Sequence, residues 1–321
     1  MDDRAAALRG RLITVRGPVP ADDMGITLPH EHLLARHQGP LVDTVDPVLA
    51  REEMQRAVRY GVRTVVDMSN VGIRGTDPLT IRRISAEASV NVVLGTGYYK
   101  DAWLPAEVHQ LTIDEMTSAM VADILDGVEG TDVRAGVIGE IGVSRPTTAT
   151  EERVLAAAAR AQRRTGVAIN VHFDIGGPPG EYNHAIDILE GEGADLERVV
   201  LDHFTCRPDE LELAVQLASR GPTIEFELWG METWPKIFEL TRNTPPEVQI
   251  ASLAWFISAG LLERIVISHD LANIVNLRAH GGHGQSYIQR HLLARFREYG
   301  VTDEQLATLM VANPRRLFPV Q

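Results

Sequence analysis

The chain has a single cysteine, Cys206, among its 321 residues. One cysteine excludes a disulfide framework within the chain, and we interpret Cys206 as a small packing residue. Residues 1–12 carry charges throughout and have no continuous apolar core. We therefore expect neither a signal peptide nor a membrane anchor, and we predict a cytoplasmic protein.

Positive charge is also scarce. The formal net charge is −13 and the pI is about 5.3, so the field of the whole molecule repels phosphate backbones and anionic membrane surfaces. We expect a small-molecule substrate, no nucleic-acid partner and no membrane partner. Only two of the 31 basic residues are lysines, Lys100 and Lys236, and the others are arginines.

Short apolar runs rich in β-branched residues recur along the chain and predict eight strands. They cover residues 26–28 leading into His30, then 63–68, 91–97, 135–141, 167–171, 198–201, 223–226 and 264–268. Stretches with helical periodicity lie between most of them, at 47–60, 112–128, 150–165, 208–219 and 246–259. Asp46 before Pro47 is a typical helix start.

Alternating strands and helices predict a parallel sheet covered by helices, and eight repeats favour a closed (β/α)8 TIM barrel of the α/β class. The length and the 44% hydrophobic content are usual for one such barrel, so we predict a single domain over residues 1–321. Ahead of the first barrel strand, residues 12–19 and 24–28 flank a turn at 20–23. We expect an N-terminal β-hairpin there that covers the bottom of the barrel.

Six residues that can bind metal lie in or just beyond these predicted strands. Because the carboxyl ends of barrel strands meet at one mouth, their side chains are expected to converge there. Four imidazoles and two carboxylates suit a divalent metal. The six are His30, His32, Glu140, His172, His203 and Asp270.

Each of these residues also has a simpler interpretation when it is taken alone. The His-x-His pair at positions 30 and 32 occurs by accident in many chains, and Glu140 in its apolar run could pair with an arginine. His172 and His203 could be hydrogen-bonded core residues, and Asp270 could cap a helix. We interpret His269, with the opposite side-chain direction, as a residue that supports the metal ligands from behind or as a structural residue.

Seven short motifs are spread over nearly the whole length of the chain. They are Thr14-Val-Arg-Gly-Pro18, Thr27-Leu-Pro-His-Glu-His32, Gly95-Thr-Gly-Tyr-Tyr99, Gly139-Glu-Ile-Gly142, Ser268-His-Asp270, Gly281-Gly-His-Gly284 and Ala312-Asn-Pro314. Together with the six residues, these motifs resemble the phosphotriesterase family of the amidohydrolase superfamily. Many family members bridge two metals with a carboxylated lysine from strand four, but the corresponding run here has no lysine. The chain therefore resembles the phosphotriesterase homology proteins, in which a glutamate bridges.

The resemblance implies two divalent metal ions. His30, His32 and Asp270 would bind one, His172 and His203 the other, and Glu140 and a hydroxide would be shared. The hydroxide would attack the substrate, and Asp270 would accept its proton and pass it to the leaving group. Zinc is our first choice of metal because histidine and carboxylate ligands suit it, although manganese, cobalt and iron fit the same ligands.

Residues in the loops after the strands are expected to bind the substrate. By resemblance to lactone-hydrolysing relatives, either Tyr98 or Tyr99 orients a carbonyl or leaving oxygen. The indoles of Trp229 and Trp234 suggest an apolar or planar substrate portion. Arg278 or Arg207 would meet an anionic group.

We predict a binuclear metal hydrolase that cleaves a lactone, carboxylic ester or amide, with weak phosphotriesterase activity as a side reaction. Alternatives are a hydrolase of phosphorylated sugar lactones or N-acyl amines, and a lyase or decarboxylase that uses one metal. A further alternative, from another class of protein, is a non-catalytic barrel that binds a ligand. The resemblance also suggests a homodimer.

Overall fold

The computed structural model describes residues 2–36, 43–231 and 244–321, and its centre is a parallel barrel. Eight strands follow one another around the barrel in chain order, each hydrogen-bonded to the next. The predicted TIM barrel is confirmed, and the eight predicted runs match the strands to within a few residues. The strands are β3 (Ile26–Glu31), β4 (Val62–Asp67), β5 (Asn91–Thr96), β6 (Val137–Val143), β7 (Ala168–Phe173), β8 (Val199–Phe204), β9 (Thr223–Phe226) and β10 (Ile265–Ile267).

The last strand meets the first through hydrogen bonds beside the predicted metal ligands. The Ser268 hydroxyl donates to the His30 carbonyl oxygen over 2.7 Å and accepts from the His30 amide over 3.1 Å. The Asp270 amide also donates to the His30 carbonyl oxygen over 3.2 Å. Closure of the barrel therefore places Asp270 next to His30.

Helices cover the outside of the barrel: α1 (Asp3–Ala6), α2 (Pro47–Arg59), α3 (Pro78–Ala88), α4 (Ile113–Leu125), α5 (Ala149–Thr165), α6 (Pro179–Gly191), α7 (Leu211–Ala218), α8 (Pro246–Phe256), α9 (Leu293–Glu298), α10 (Asp303–Ala307) and α11 (Asn313–Leu317). The Asp46 carboxylate accepts from the Val48 amide and caps α2, as predicted. The helix predicted at 208–219 begins with a 3₁₀ turn before α7. Among the described ranges, none of these helices is long and apolar enough to cross a membrane.

The N-terminal hairpin is present, but its turn lies earlier than predicted. Strands β1 (Arg11–Thr14) and β2 (Gly17–Pro20) pair antiparallel, with Thr14 opposite Gly17. Gly17 has φ +109°, a conformation that favours glycine, and this allows a tight turn inside the segment that we assigned to one strand. The expected pairing of residues 24–28 with the hairpin is wrong, because Ile26 onward joins the barrel.

An apolar plug fills the bottom of the barrel. Its side chains come from the inward faces of the strands, from the hairpin and from the C-terminal segment, and they pack as one buried cluster. The hairpin thus covers the bottom as expected, and the carboxyl ends of the strands form the mouth. The plug consists of Leu12, Met24, Val66, Met68, Val93, Val137, Ala168, Val200, Val266, Leu317 and Phe318.

Candidate metal centre

The six predicted metal ligands converge at the mouth of the barrel. His30 lies in β3, Glu140 in β6, His172 in β7 and His203 in β8, while His32 and Asp270 lie just beyond β3 and β10. Every one of the six is at most 8% exposed. The side chains therefore form one buried polar group above the apolar plug.

One half of this group surrounds the two histidines of the His-x-His motif. His32 Nε2 lies 3.2 Å from Asp270 Oδ1 and 3.3 Å from Glu140 Oε1. His30 Nε2 lies 3.6 Å from Asp270 Oδ1 and 3.7 Å from Glu140 Oε2. Ligand atoms around a tetrahedral cation with bonds of about 2.1 Å lie about 3.4 Å apart. The four side chains thus have the spacing that one cation requires.

The other half contains the remaining two histidines. His172 Nδ1 lies 2.7 Å from Glu140 Oε2 and 2.7 Å from His203 Nε2. The Glu140 carboxylate therefore reaches both halves, with one oxygen near His32 and the other near His172. This is the position of a bridging ligand between two cations.

The hydrogen bonds and ion pairs around the six side chains suit bound cations. Both ring nitrogens of His30 are buried and have no hydrogen-bond partner among the residues that the structure describes. Within the described part of the chain, Glu140 and Asp270 form ion pairs with histidines and with no arginine or lysine. The alternative of an arginine salt bridge to Glu140 is therefore wrong, and the donor set fits two divalent cations.

The histidines differ in their affinity for protons. Burial lowers the pKa of His32, but hydrogen bonds to Asp270 and Glu140 outweigh burial and raise it to about 10. Burial likewise lowers the pKa of His203, and the charge of Glu227 raises it to about 10. Burial and the charge of His203 lower the pKa of His172 to about 3. A cation that binds to the group would therefore displace protons from His32 and His203.

Neighbouring side chains orient these rings. The Ser69 hydroxyl lies 2.9 Å from His32 Nδ1, and the Glu227 carboxylate lies 2.5 Å from His203 Nδ1. The Tyr99 hydroxyl lies 3.1 Å from His172 Nε2. Each contact leaves the other ring nitrogen directed into the centre. Sequence reasoning missed Ser69 and Glu227, although the alternation of Glu225 and Glu227 along β9 was a signal that both face the barrel interior.

The backbone at two of the six residues is left-handed. His203 has φ 60° and Asp270 has φ 54°. A non-glycine residue in this conformation costs of order 1–3 kcal/mol and persists where the surrounding structure enforces it. Such residues are concentrated at functional sites, which agrees with the position of both at the mouth.

The structure brings Tyr99 to the centre but not Tyr98. The Tyr98 side chain lines a separate cavity of about 220 Å³ together with Met120 and Asp123 of α4. The adjacent tyrosines thus point to different sides of the strand end.

His269 has a buried partner of its own. Its Nδ1 atom lies 2.7 Å from the buried Glu31 carboxylate, which agrees with a supporting or structural role.

Among the other predicted substrate residues, Trp229, Arg278 and Arg207 make hydrogen bonds or ion pairs with residues outside the six. Trp229 is fully buried, and its indole N–H donates to the Phe226 carbonyl oxygen while its ring packs on Phe296. Its surface is therefore taken up by the core and is not available to a substrate. Arg278 is exposed, and its guanidinium donates to the Gly282 carbonyl oxygen. Arg207 pairs with Asp209, and Trp234 lies outside the described residues.

Fold and site together define a metal-dependent hydrolase built on a TIM barrel. Residues 10–318 match the sequence model of the phosphotriesterase family, and the chain belongs to that family, whose members are metal-dependent hydrolases. The family that the sequence motifs indicated is confirmed.

Three relatives illustrate the similarity. The N-acetyltaurine hydrolase of Dictyostelium discoideum is 35% identical over 277 residues, which cover 85% of this chain and 73% of that protein. The crystal structure of a resiniferatoxin-binding protein from Rhodobacter sphaeroides has a TM-score of 0.92 and 35% identity, covering 97% of this chain and 96% of that one. The phosphotriesterase homology protein of Escherichia coli, solved with phosphate in its active site, has a TM-score of 0.84 and 29% identity, covering 92% and 99%.

Proposed function

We propose that this protein hydrolyses a lactone, a carboxylic ester or an amide with the help of two divalent cations. His30, His32 and Asp270 would hold one cation, His172 and His203 the other, and Glu140 would contact both. The observation that carries the proposal is the convergence of these six buried donors at the mouth of the barrel. Zinc is our first choice of cation, and manganese, cobalt and iron suit the same donors.

When bound, the two cations would supply an activated water at neutral pH and would polarise a carbonyl oxygen of the substrate. The protein residues supply the rest of the mechanism. Asp270 accepts the proton of the attacking water and passes it to the leaving group. Burial of the six side chains limits competing water and strengthens every electrostatic contact with the substrate.

An N-acyl amine is the substrate class that the relatives favour. Several relatives at 27–35% identity are N-acetyltaurine hydrolases. A small acyl group would place its amide carbonyl at the two cations, and the amine would leave with the proton that Asp270 delivers.

Arg278, in the loop after β10, is the candidate to bind an anionic group on the amine portion of the substrate. If it does, Arg278→Ala should raise KM for N-acetyltaurine more than KM for a neutral ester.

A substrate panel tests the proposed function. Purified protein is stripped with a chelator, reconstituted with zinc, manganese or cobalt, and assayed with lactones, aryl esters, N-acyl amines including N-acetyltaurine, and a paraoxon-type triester. We expect hydrolysis of at least one carbonyl class, loss of activity in the stripped protein and recovery on reconstitution. Protein that contains two equivalents of metal but hydrolyses none of the carbonyl substrates would contradict the proposal.

Tyr99 is proposed to orient His172 and the substrate oxygen. Replacing Tyr99 with phenylalanine removes one hydrogen bond worth about 0.5–1.5 kcal/mol, so we expect kcat/KM to fall about 3- to 10-fold. Tyr98→Phe is the matched control, because that side chain lies in the separate cavity beside α4. Equal effects of the two substitutions on steady-state kinetics would exclude a specific role for the Tyr99 hydroxyl.

A further inference from the structure

Three further carboxylates lie inside the barrel, directly below the candidate metal centre. We call Asp202, Glu225 and Glu227 the lower carboxylate cluster. All three are completely buried. Side chains alternate along a strand, so Asp202 shares the inward face of β8 with Val200 of the apolar plug. The cluster therefore forms a polar layer between the plug and the six residues at the mouth.

In the described ranges, only one oxygen of each carboxylate in the cluster accepts a hydrogen bond. Asp202 Oδ1 accepts from the Phe173 amide over 3.2 Å, and Glu225 Oε2 accepts from the Asn170 side-chain amide over 3.2 Å. Glu227 Oε1 accepts from the His203 amide over 2.7 Å. The opposite oxygens, Asp202 Oδ2, Glu225 Oε1 and Glu227 Oε2, are buried and have no hydrogen-bond partner among the described residues.

One imidazole nitrogen is directed into this layer. His30 Nδ1 lies 3.2 Å from Glu227 Oε2, 3.4 Å from Glu225 Oε2 and 3.6 Å from Asp202 Oδ2. These contacts are ion pairs, and within the described ranges the buried Nδ1 atom makes no hydrogen bond of standard geometry. The ligand atoms of a cation with bonds of about 2.1–2.4 Å lie about 3.0–3.5 Å apart, so these separations match the edges of a coordination sphere.

Among the described residues, the ion pairs of the cluster are all with imidazoles. An isolated ionised carboxylate in a protein interior costs several kilocalories per mole. In the described ranges, no arginine or lysine pairs with Asp202, Glu225 or Glu227. The His30 and His203 imidazoles each direct one nitrogen, Nδ1, at the cluster, whereas a divalent cation can contact several carboxylate oxygens at once.

We propose that the lower carboxylate cluster and His30 Nδ1 form a third cation site, separate from the two cations at the mouth. Oxygen atoms dominate its ligands, so it takes a divalent cation that prefers carboxylates, such as Mn²⁺, Mg²⁺ or Ca²⁺. His30 then links the two levels, with Nε2 directed to the mouth and Nδ1 to the lower site. The site does not depend on which bond the protein hydrolyses.

Metal counting tests the third site with the full-length chain. The protein is stripped with a chelator, reconstituted with Mn²⁺ alone and measured by elemental analysis after gel filtration. We expect three equivalents in the wild type and two in Glu225→Gln, because Glu225 is not among the six residues at the mouth. Glu53→Gln, which changes a buried carboxylate of α2, is the matched control and should retain three.

Anomalous scattering from crystals of the Mn²⁺-loaded wild type provides a second measurement that needs no variant. A peak among Asp202, Glu225 and Glu227 supports the proposal, even if Glu225→Gln does not fold. Two peaks at the mouth with none in the lower cluster would overturn it and leave the proposed function intact. Conversely, a peak in the lower cluster with none at the mouth would support the third site and contradict the proposed binuclear function.

Discussion

Replacement of Glu140 by glutamine is expected to lower kcat/KM for the best substrate of the panel by about 10³-fold. The Glu140 carboxylate lies 3.3 Å from His32 Nε2 and 2.7 Å from His172 Nδ1, so it contacts both halves of the centre. A glutamine offers one neutral oxygen, and its NH₂ group cannot bind a cation. Metal catalysis supplies several kcal/mol of transition-state stabilisation, and each 1.4 kcal/mol corresponds to about tenfold in rate.

Metal content distinguishes this loss from a general loss of structure. We expect Glu140→Gln to retain fewer than two equivalents of metal at the mouth after gel filtration, while its far-ultraviolet circular dichroism stays that of the wild type. Glu53→Gln serves again as the control, because it removes a buried carboxylate that lies outside the barrel in α2. A Glu140→Gln protein with full metal content and wild-type turnover would show that Glu140 does not bridge.

The positions of the six residues could be predicted because two simple rules apply to them. Parallel strands end at the same edge, and each of these residues ends a predicted strand or follows one closely. Side chains also alternate along a strand, so His30 and His32, two residues apart, are expected on the same face. The convergence of His30, His172 and Asp270 could therefore be predicted from the alternating pattern of strands and helices alone.

The neighbours that orient the six could not be predicted by the same rules. Ser69 follows β4 and is one of many serines, and only the registry of β3 against β4 brings it to His32. Gly97 has φ +114°, which interrupts the alternation of side chains after β5, so the sequence does not show which of Tyr98 and Tyr99 faces the centre. An indole after a strand suits a pocket and a core equally well, and Trp229 lies in the core because Phe296 packs against it.

The polar layer below the centre also escaped sequence reasoning. The alternation Glu225-Phe226-Glu227 predicts two carboxylates on one face of β9, but a strand with charges on one face is usually at the surface. In a barrel the inward face is buried, and the apolar plug occupies the lower part of that space. The carboxylates are stable above the plug because amide groups and imidazoles contact them.

Replacement of Asp270 by asparagine is expected to reduce kcat by about 10²- to 10⁴-fold, the usual contribution of a general acid–base group. Asp270 Oδ1 lies 3.2 Å from His32 Nε2, and Oδ2 lies 3.8 Å from His203 Nδ1. Burial raises the pKa of Asp270, but the hydrogen bond to His32 and the charge of His30 outweigh burial and lower it, so the carboxylate is ionised and can accept a proton at neutral pH. Asparagine keeps an oxygen for the cation but cannot accept that proton.

The Asp270→Asn variant should therefore separate metal binding from proton transfer. We expect metal content close to that of the wild type, a KM within a few-fold of the wild-type value, and a large loss in kcat alone. Substrates with acidic leaving groups, such as aryl esters, should lose less than N-acyl amines, because a good leaving group needs no proton. Asp132→Asn, at an exposed carboxylate paired with Arg82, is the control. An equal loss for aryl esters and N-acyl amines would mean that Asp270 acts as a ligand and does not deliver the proton to the leaving group.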